Sequence, residues 1–187
     1  MQIFLGGFSC LTAALLAIGC ERSPSPVSTL PSAPPLAVTT AVRVAEAPTI
    51  YAGRPLTNLP TMKLWVGPHE VTAQLAMKTV EMATGMMHRD TIEPEEAMLF
   101  PLPRPMQASF YNRNVNFDLG VAYIDPEGII QEIITLKRRD ETPRPSQSLR
   151  IQFVLEVAPD WFQRKGVGVG TEIRTPQGPL KQAFTFR

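Results

Sequence analysis

Eight of the nineteen prolines in this 187-residue chain fall between residues 21 and 60, and that clustering decides which part of it can build a core. Proline fixes φ and has no backbone N–H, so a dense run of it supports neither a helix interior nor a central strand. The same stretch is rich in Ser, Thr and Ala and poor in large apolar side chains. It cannot bury enough surface to offset the entropy of ordering, and reads as an extended tether over 21–60. Folding is left to residues 61–187, read as one domain.

Residues 1–20 have another character. No charge occurs before Glu21, and residues 11–18 (LTAALLAI) form an apolar run. A membrane span needs roughly 20 such residues. This shorter run suits the apolar core of an export signal, with the small Gly19 before Cys20 as at a cleavage site. Ala17-Ile18-Gly19-Cys20 resembles the bacterial lipobox, whose cysteine is diacylated and becomes the mature N-terminus. Two details depart from it: Ala17 stands where Leu is usual, and the start lacks Lys or Arg. An ordinary secretory signal and a retained anchor helix are the alternatives, and all three place the domain outside the cytoplasm.

Cys10 and Cys20 are the only cysteines. With Cys10 in the removed segment, the domain has no thiol for a disulfide, a metal or a nucleophile. The resemblance to Gram-negative lipoproteins implies outer-membrane sorting, because Glu21 rather than Asp follows Cys20. The expectation is an exported protein of the cell envelope, held to the membrane through lipidated Cys20. A net charge of +1 argues against a general nucleic-acid binder, which carries a basic excess.

Within the domain, short apolar segments alternate with turn residues. Strands are expected at 63–66, 71–77, 98–102, 108–111, 119–124, 129–136, 151–157 and around 172–174. Pro103 and Pro105 should stop the third. Asp125-Pro126-Glu127-Gly128 is a strong turn signal and predicts a hairpin. Thr79 is a candidate N-cap for a short helix to about Met87, with Val80, Ala83, Met86 and Met87 as its apolar stripe; Pro159-Asp160 opens a second helical turn. About seven strands with one or two short helices give an α+β domain, its mostly antiparallel sheet curved or barrel-like.

Several segments occur in a fixed order: Gly85-Met86-Met87-His88-Arg89, Ala97-Met98-Leu99-Phe100, Phe110-Tyr111-Asn112-Arg113-Asn114, Val121-Ala122-Tyr123-Ile124-Asp125, Leu155-Glu156 and Gly166-Val167-Gly168-Val169-Gly170. Together, over about 63–175, they resemble domain-of-unknown-function family 192, with its G-L-M-x-R, G-M-L-F, F-W-M-K-N-T-x-I-P-L-D, F-I-D-x-x-G, L-E and G-I-x-V-G-D segments. The resemblance implies a fold and frequent export, and little chemistry. The chain departs from the family at acidic positions: P-L-D becomes Asp118-Leu119-Gly120, and the final G-D becomes Gly170-Thr171.

Arg89, Arg113, Asn114, Asp118 and Glu156 are the polar candidates for a ligand site. Two arginines can grip a carboxylate or phosphate; the same residues equally suit an internal network with Asp118 or Glu156. Glu156 lies in an apolar strand, FVLEV, facing solvent or buried. Asp118 and Glu156 together could form the paired carboxylates of a glycosidase. His69 and His88 lack metal-ligand spacing, and His88 and Arg89 fit a helix C-terminus. The basic loop around Lys137-Arg138-Arg139 reads as solvated, and the methionines as core filling. No cofactor or metal is expected. The leading expectation is a non-catalytic domain binding an envelope ligand or protein, against a hydrolase of cell-wall polymer or a structural accessory subunit.

Overall fold

The computed structural model describes residues 50–184. The export segment, Cys20 and the tether up to residue 49 lie outside the described residues. The elements in order are β1 (Thr61–Val66), β2 (His69–Leu75), α1 (Thr79–Thr84), β3 (Glu96–Met106), β4 (Ser109–Phe110), β5 (Leu119–Ile124), β6 (Ile130–Leu136), β7 (Arg144–Pro145), β8 (Ile151–Val157), α2 (Trp161–Arg164), β9 (Ile173–Thr175) and β10 (Gly178–Pro179), with a closing 3₁₀ turn at Leu180–Ala183. Eight strands form one sheet in the order β10-β9-β1-β2-β3-β8-β5-β6, while β4 and β7 pair separately. The β2–β3 pair is parallel and the other pairs are antiparallel. The domain is α+β, with a curved, mostly antiparallel sheet that does not close into a barrel.

The curvature is visible where distant parts of the sheet meet. The β5–β6 turn reaches the chain leading into β9: Ile129 bridges Glu172, and the Ile173 amide donates to the Gly128 carbonyl at 2.7 Å. Gly128 has φ +88°, and a Cβ there would lie 2.8 Å from the Ile173 carbonyl oxygen. Glycine is needed at this position both for its backbone angle and for the close approach.

β5 and β8 are buried along their whole lengths, which marks a sheet covered on both faces. Alternation then divides the core in two. Ala122, Ile124, Phe153, Leu155 and Val157 join one cluster with Trp161 and Phe162 of α2. Leu119, Val121, Tyr123 and Val154 face the other, with Met86, Met87, Met98 and Phe100. Glu156 shares the side-chain parity of Val154 and belongs to this second face.

Two local expectations are corrected. β3 runs on through Pro103 and Pro105 to Met106, with a register shift after Pro101. The Leu99 carbonyl accepts from the Ala76 amide, so odd-numbered residues of β3 direct their backbone groups toward β2. β2 ends at Leu75, so Pro101 faces a side where β2 no longer runs alongside, and Pro103 and Pro105 fall in the irregular stretch between the Pro101–Phe153 and Met106–Ile151 pairs, where the regular ladder is interrupted. On the other side the Gln152 side chain donates to the Leu102 carbonyl.

The first helix is shorter than expected. Its N-cap is Lys78, with Thr79 already helical, and Val80 points outward at 41% exposure. The Glu81 carboxylate accepts from the Met77 and Lys78 amides, satisfying donors at the helix start. Gly85, at φ +48°, ends the helix. His88 and Arg89 are therefore beyond its last turn and cap nothing.

Candidate functional site

Glu156 sits in register with Met98 of β3 on one side and Val121 of β5 on the other, both completely buried. It is 4% exposed, and its Oε2 has no hydrogen-bond partner among the described residues. Burial pushes its carboxyl up to about 8, with the Arg89 charge pulling weakly the other way. At neutral pH it is mainly the uncharged acid.

A cleft of about 440 Å³ opens beside this carboxyl, within the range of roughly 300–1,000 Å³ usual for small-molecule sites. Its walls are largely apolar, including Met82, Met86, Met87, Phe100 and Phe110. Gly85 brings the end of α1 over the floor: a Cβ there would be 3.4 Å from the Phe100 ring and 4.0 Å from Glu156 Oε2. Asn112 lines the cleft with no exposed surface, its Nδ2 donating to the Phe117 and Lys137 carbonyls at 2.8 and 3.0 Å. Tyr111 forms part of the rim. Its hydroxyl lies 2.8 Å from that of Tyr51, and burial pushes it up to about 12. The Ala52 amide donates to Thr84 Oγ1, a residue that also lines the cleft, so the chain before β1 is fastened to the cleft wall.

The five polar candidates do not gather in one place. Glu156 and Arg113 line the cleft; Arg113 bonds Glu141 at 2.9–3.0 Å and lies 5.9 Å from the Tyr51 ring centre. Arg89 faces elsewhere, donating to Glu96 at 2.5 Å, Gln74 at 2.8 Å and the Leu56 carbonyl. Asn114 is exposed at φ +53°, and its carbonyl accepts from the His88 amide. Asp118 is bonded by Lys137 and the Arg138 amide, both at 2.8 Å, which hold its carboxyl below the usual range. Glu156 is the sole acid lining its cleft among the described residues, and Asp118 is not part of that wall. Nor does any group of three His, Cys, Asp or Glu among the described residues form a metal site.

Asn112, Tyr111 and Phe110 are site members that residue-type reasoning passed over. The available signal was positional: Gly85–Met87, Phe100, Phe110–Arg113 and Glu156 lie in four of the recurring sequence segments, and the fold brings all four to this cleft.

The model of family DUF192, Uncharacterized ACR, matches residues 62–175. The chain belongs to this family. No curated protein matches it. The DUF192 domain is similar to a solved structure from Novosphingobium aromaticivorans DSM 12444, a protein of unknown function, at 26% identity and TM-score 0.60, covering 66% of this chain and 91% of that one. It also shares its fold with a protein from Sinorhizobium meliloti 1021 described as a "putative transcription regulator", at 21% identity and TM-score 0.61, covering 64% of this chain and 97% of that one.

Proposed function

We propose that this DUF192 protein is a non-catalytic binding module of the cell envelope, tethered through lipidated Cys20, and that its ligand site is the cleft above Glu156. The observation that carries the reading is a buried, unpartnered carboxyl at the wall of an apolar cleft. Isolated buried polar groups are costly, and those that persist commonly mark function. A glycosidase would need a second carboxyl facing the same space, and Asp118 is committed to Lys137 instead. The ligand site is therefore centred on Glu156 and Asn112, with Arg89, Asn114 and Asp118 in supporting contacts outside it.

The test is protein-detected NMR on the mature full-length chain with methyl-labelled methionine and a set of small apolar fragments. Shifts concentrated on Met82, Met86 and Met87 are expected. Fragments that leave these methyls unmoved, or move surface Met77 and Met106 equally, would overturn the site.

A further inference from the structure

Three buried side-chain polar atoms among the described residues lack a hydrogen-bond partner: Glu156 Oε2, Asn112 Oδ1 and Arg89 Nε. Arg89 lies outside the cleft lining, but the other two residues line the same cleft. The orientation of Asn112 is fixed by its own bonds. Its Nδ2 faces the Phe117 and Lys137 carbonyls, which accept and cannot donate, so the side-chain oxygen is the atom left over. Two residues of the cleft lining therefore hold, just beneath its surface, an unmet acceptor and a carboxyl whose neutral form offers one donor and one acceptor.

We infer that the cleft takes a small uncharged amide, its head group bonding Glu156 and Asn112 and its apolar body lying against Met82, Met87, Phe100 and Phe110. This rests on the cleft being the binding site. An amide carbonyl accepts the O–H of the acid, and its N–H groups supply the donor that Asn112 Oδ1 needs. A carboxylate brings acceptors only, so it can take the Glu156 O–H but leaves Asn112 unmet and carries its charge into a largely apolar cleft. An ammonium brings donors only and favours an ionised Glu156 where the surroundings are apolar. The cleft wall also carries the cationic Arg113, which disfavours a second cation.

Octanamide, octylamine and octanoate share one chain length and differ at the head, so they separate these cases. Calorimetry on the mature full-length chain at pH 7, with the methionine methyls as site reporters, should show octanamide binding at least about tenfold more tightly than either charged analogue. Raising the pH to 9.5 should weaken octanamide binding as Glu156 ionises. Arg113 stays charged over that range and Tyr111 stays neutral, while Tyr51, held below its usual value by its bond to Tyr111, ionises in part in the wild type and in Glu156→Gln alike. Glu156→Gln, which keeps a donor and an acceptor without titrating, should show a much weaker pH dependence of octanamide binding than the wild type. Tighter binding of octylamine, equal binding of all three, or pH-independent binding in the wild type would overturn the amide assignment while methyl shifts kept the cleft as the site. Absence of methyl shifts with every probe would overturn the site as well.

Discussion

Arg89 and Glu96 form a 2.5 Å ion pair, and Glu96 also accepts from Gln74 Nε2 at 2.8 Å while Gln74 Oε1 accepts from Arg89. The three side chains close a ring across β2 and β3. The cation is thereby committed to Glu96 and leaves Glu156 without a bonded counter-charge. Arg89 is 6% exposed and Glu96 22%, so the pair is only partly screened. Glu96→Gln should destabilise the domain by roughly 2 kcal/mol, because Arg89 then keeps a buried charge with a weaker partner. Urea denaturation measures this as a lower midpoint with an unchanged slope.

Glu156 makes stability depend on pH in a direction opposite to an ordinary surface carboxylate. Its folded carboxyl is raised from 4.5 to about 8, so the folded state binds the proton more tightly than the unfolded chain. The acid imposes no ionisation penalty below pH 4.5. The penalty grows as pH rises toward 8 and then levels off, reaching a few kcal/mol. Glu156→Gln should remove this decline, so that urea midpoints between pH 5 and 9 fall in the wild type and less steeply in the variant.

Gly128→Ala tests the curvature of the sheet. The methyl group would meet the Ile173 carbonyl at 2.8 Å, and alanine resists φ +88°. A loss of about 2 kcal/mol or more is expected, together with faster amide exchange at Ile130 and Ile173, whose amides bond across this junction.

Tyr51→Phe removes one hydroxyl from the Tyr51–Tyr111 pair at the cleft rim. The core is untouched, so global stability should change by less than about 1 kcal/mol. Limited proteolysis around residues 50–57 should become faster, since the Ala52–Thr84 bond is then the nearer of the remaining fastenings.

Lipidation at Cys20 predicts that mass spectrometry of the mature N-terminus finds diacylated cysteine, and that Cys20→Ser releases the protein from the membrane fraction. An unmodified Cys20 in membrane-free wild-type protein would contradict the anchor.

Local chemistry made part of this fold legible in the sequence. The Asp125–Gly128 turn, with Asp125 Oδ1 accepting from the Ile129 amide, carries its own signal and places β5 and β6 correctly. β8 was legible from its alternating and then continuous apolar residues, which reflect burial on both faces. β3 was not, since whether a proline breaks a strand depends on which side has a neighbour and where the ladder shifts register, and both are decided by the partners β2 and β8. The site was only half legible for a related reason. Glu156 stood out as an acid among apolar residues, but its burial follows from its position between β3 and β5. Asn112 looks like an ordinary loop residue until the carbonyls of Phe117 and Lys137 fix its amide. Tyr51 belongs to a Pro-rich stretch whose composition gives no hint of a contact with Tyr111.

The central claim is that the Glu156 carboxyl is a neutral group waiting at the wall of a ligand cleft, and its own ¹³C resonance reports both parts. Followed in the mature full-length chain at pH 7, the Glu156 side-chain carboxyl should resonate as a protonated acid and move as octanamide is added. A carboxylate resonance that titrates near 4.5 and stays fixed through the addition would contradict the account.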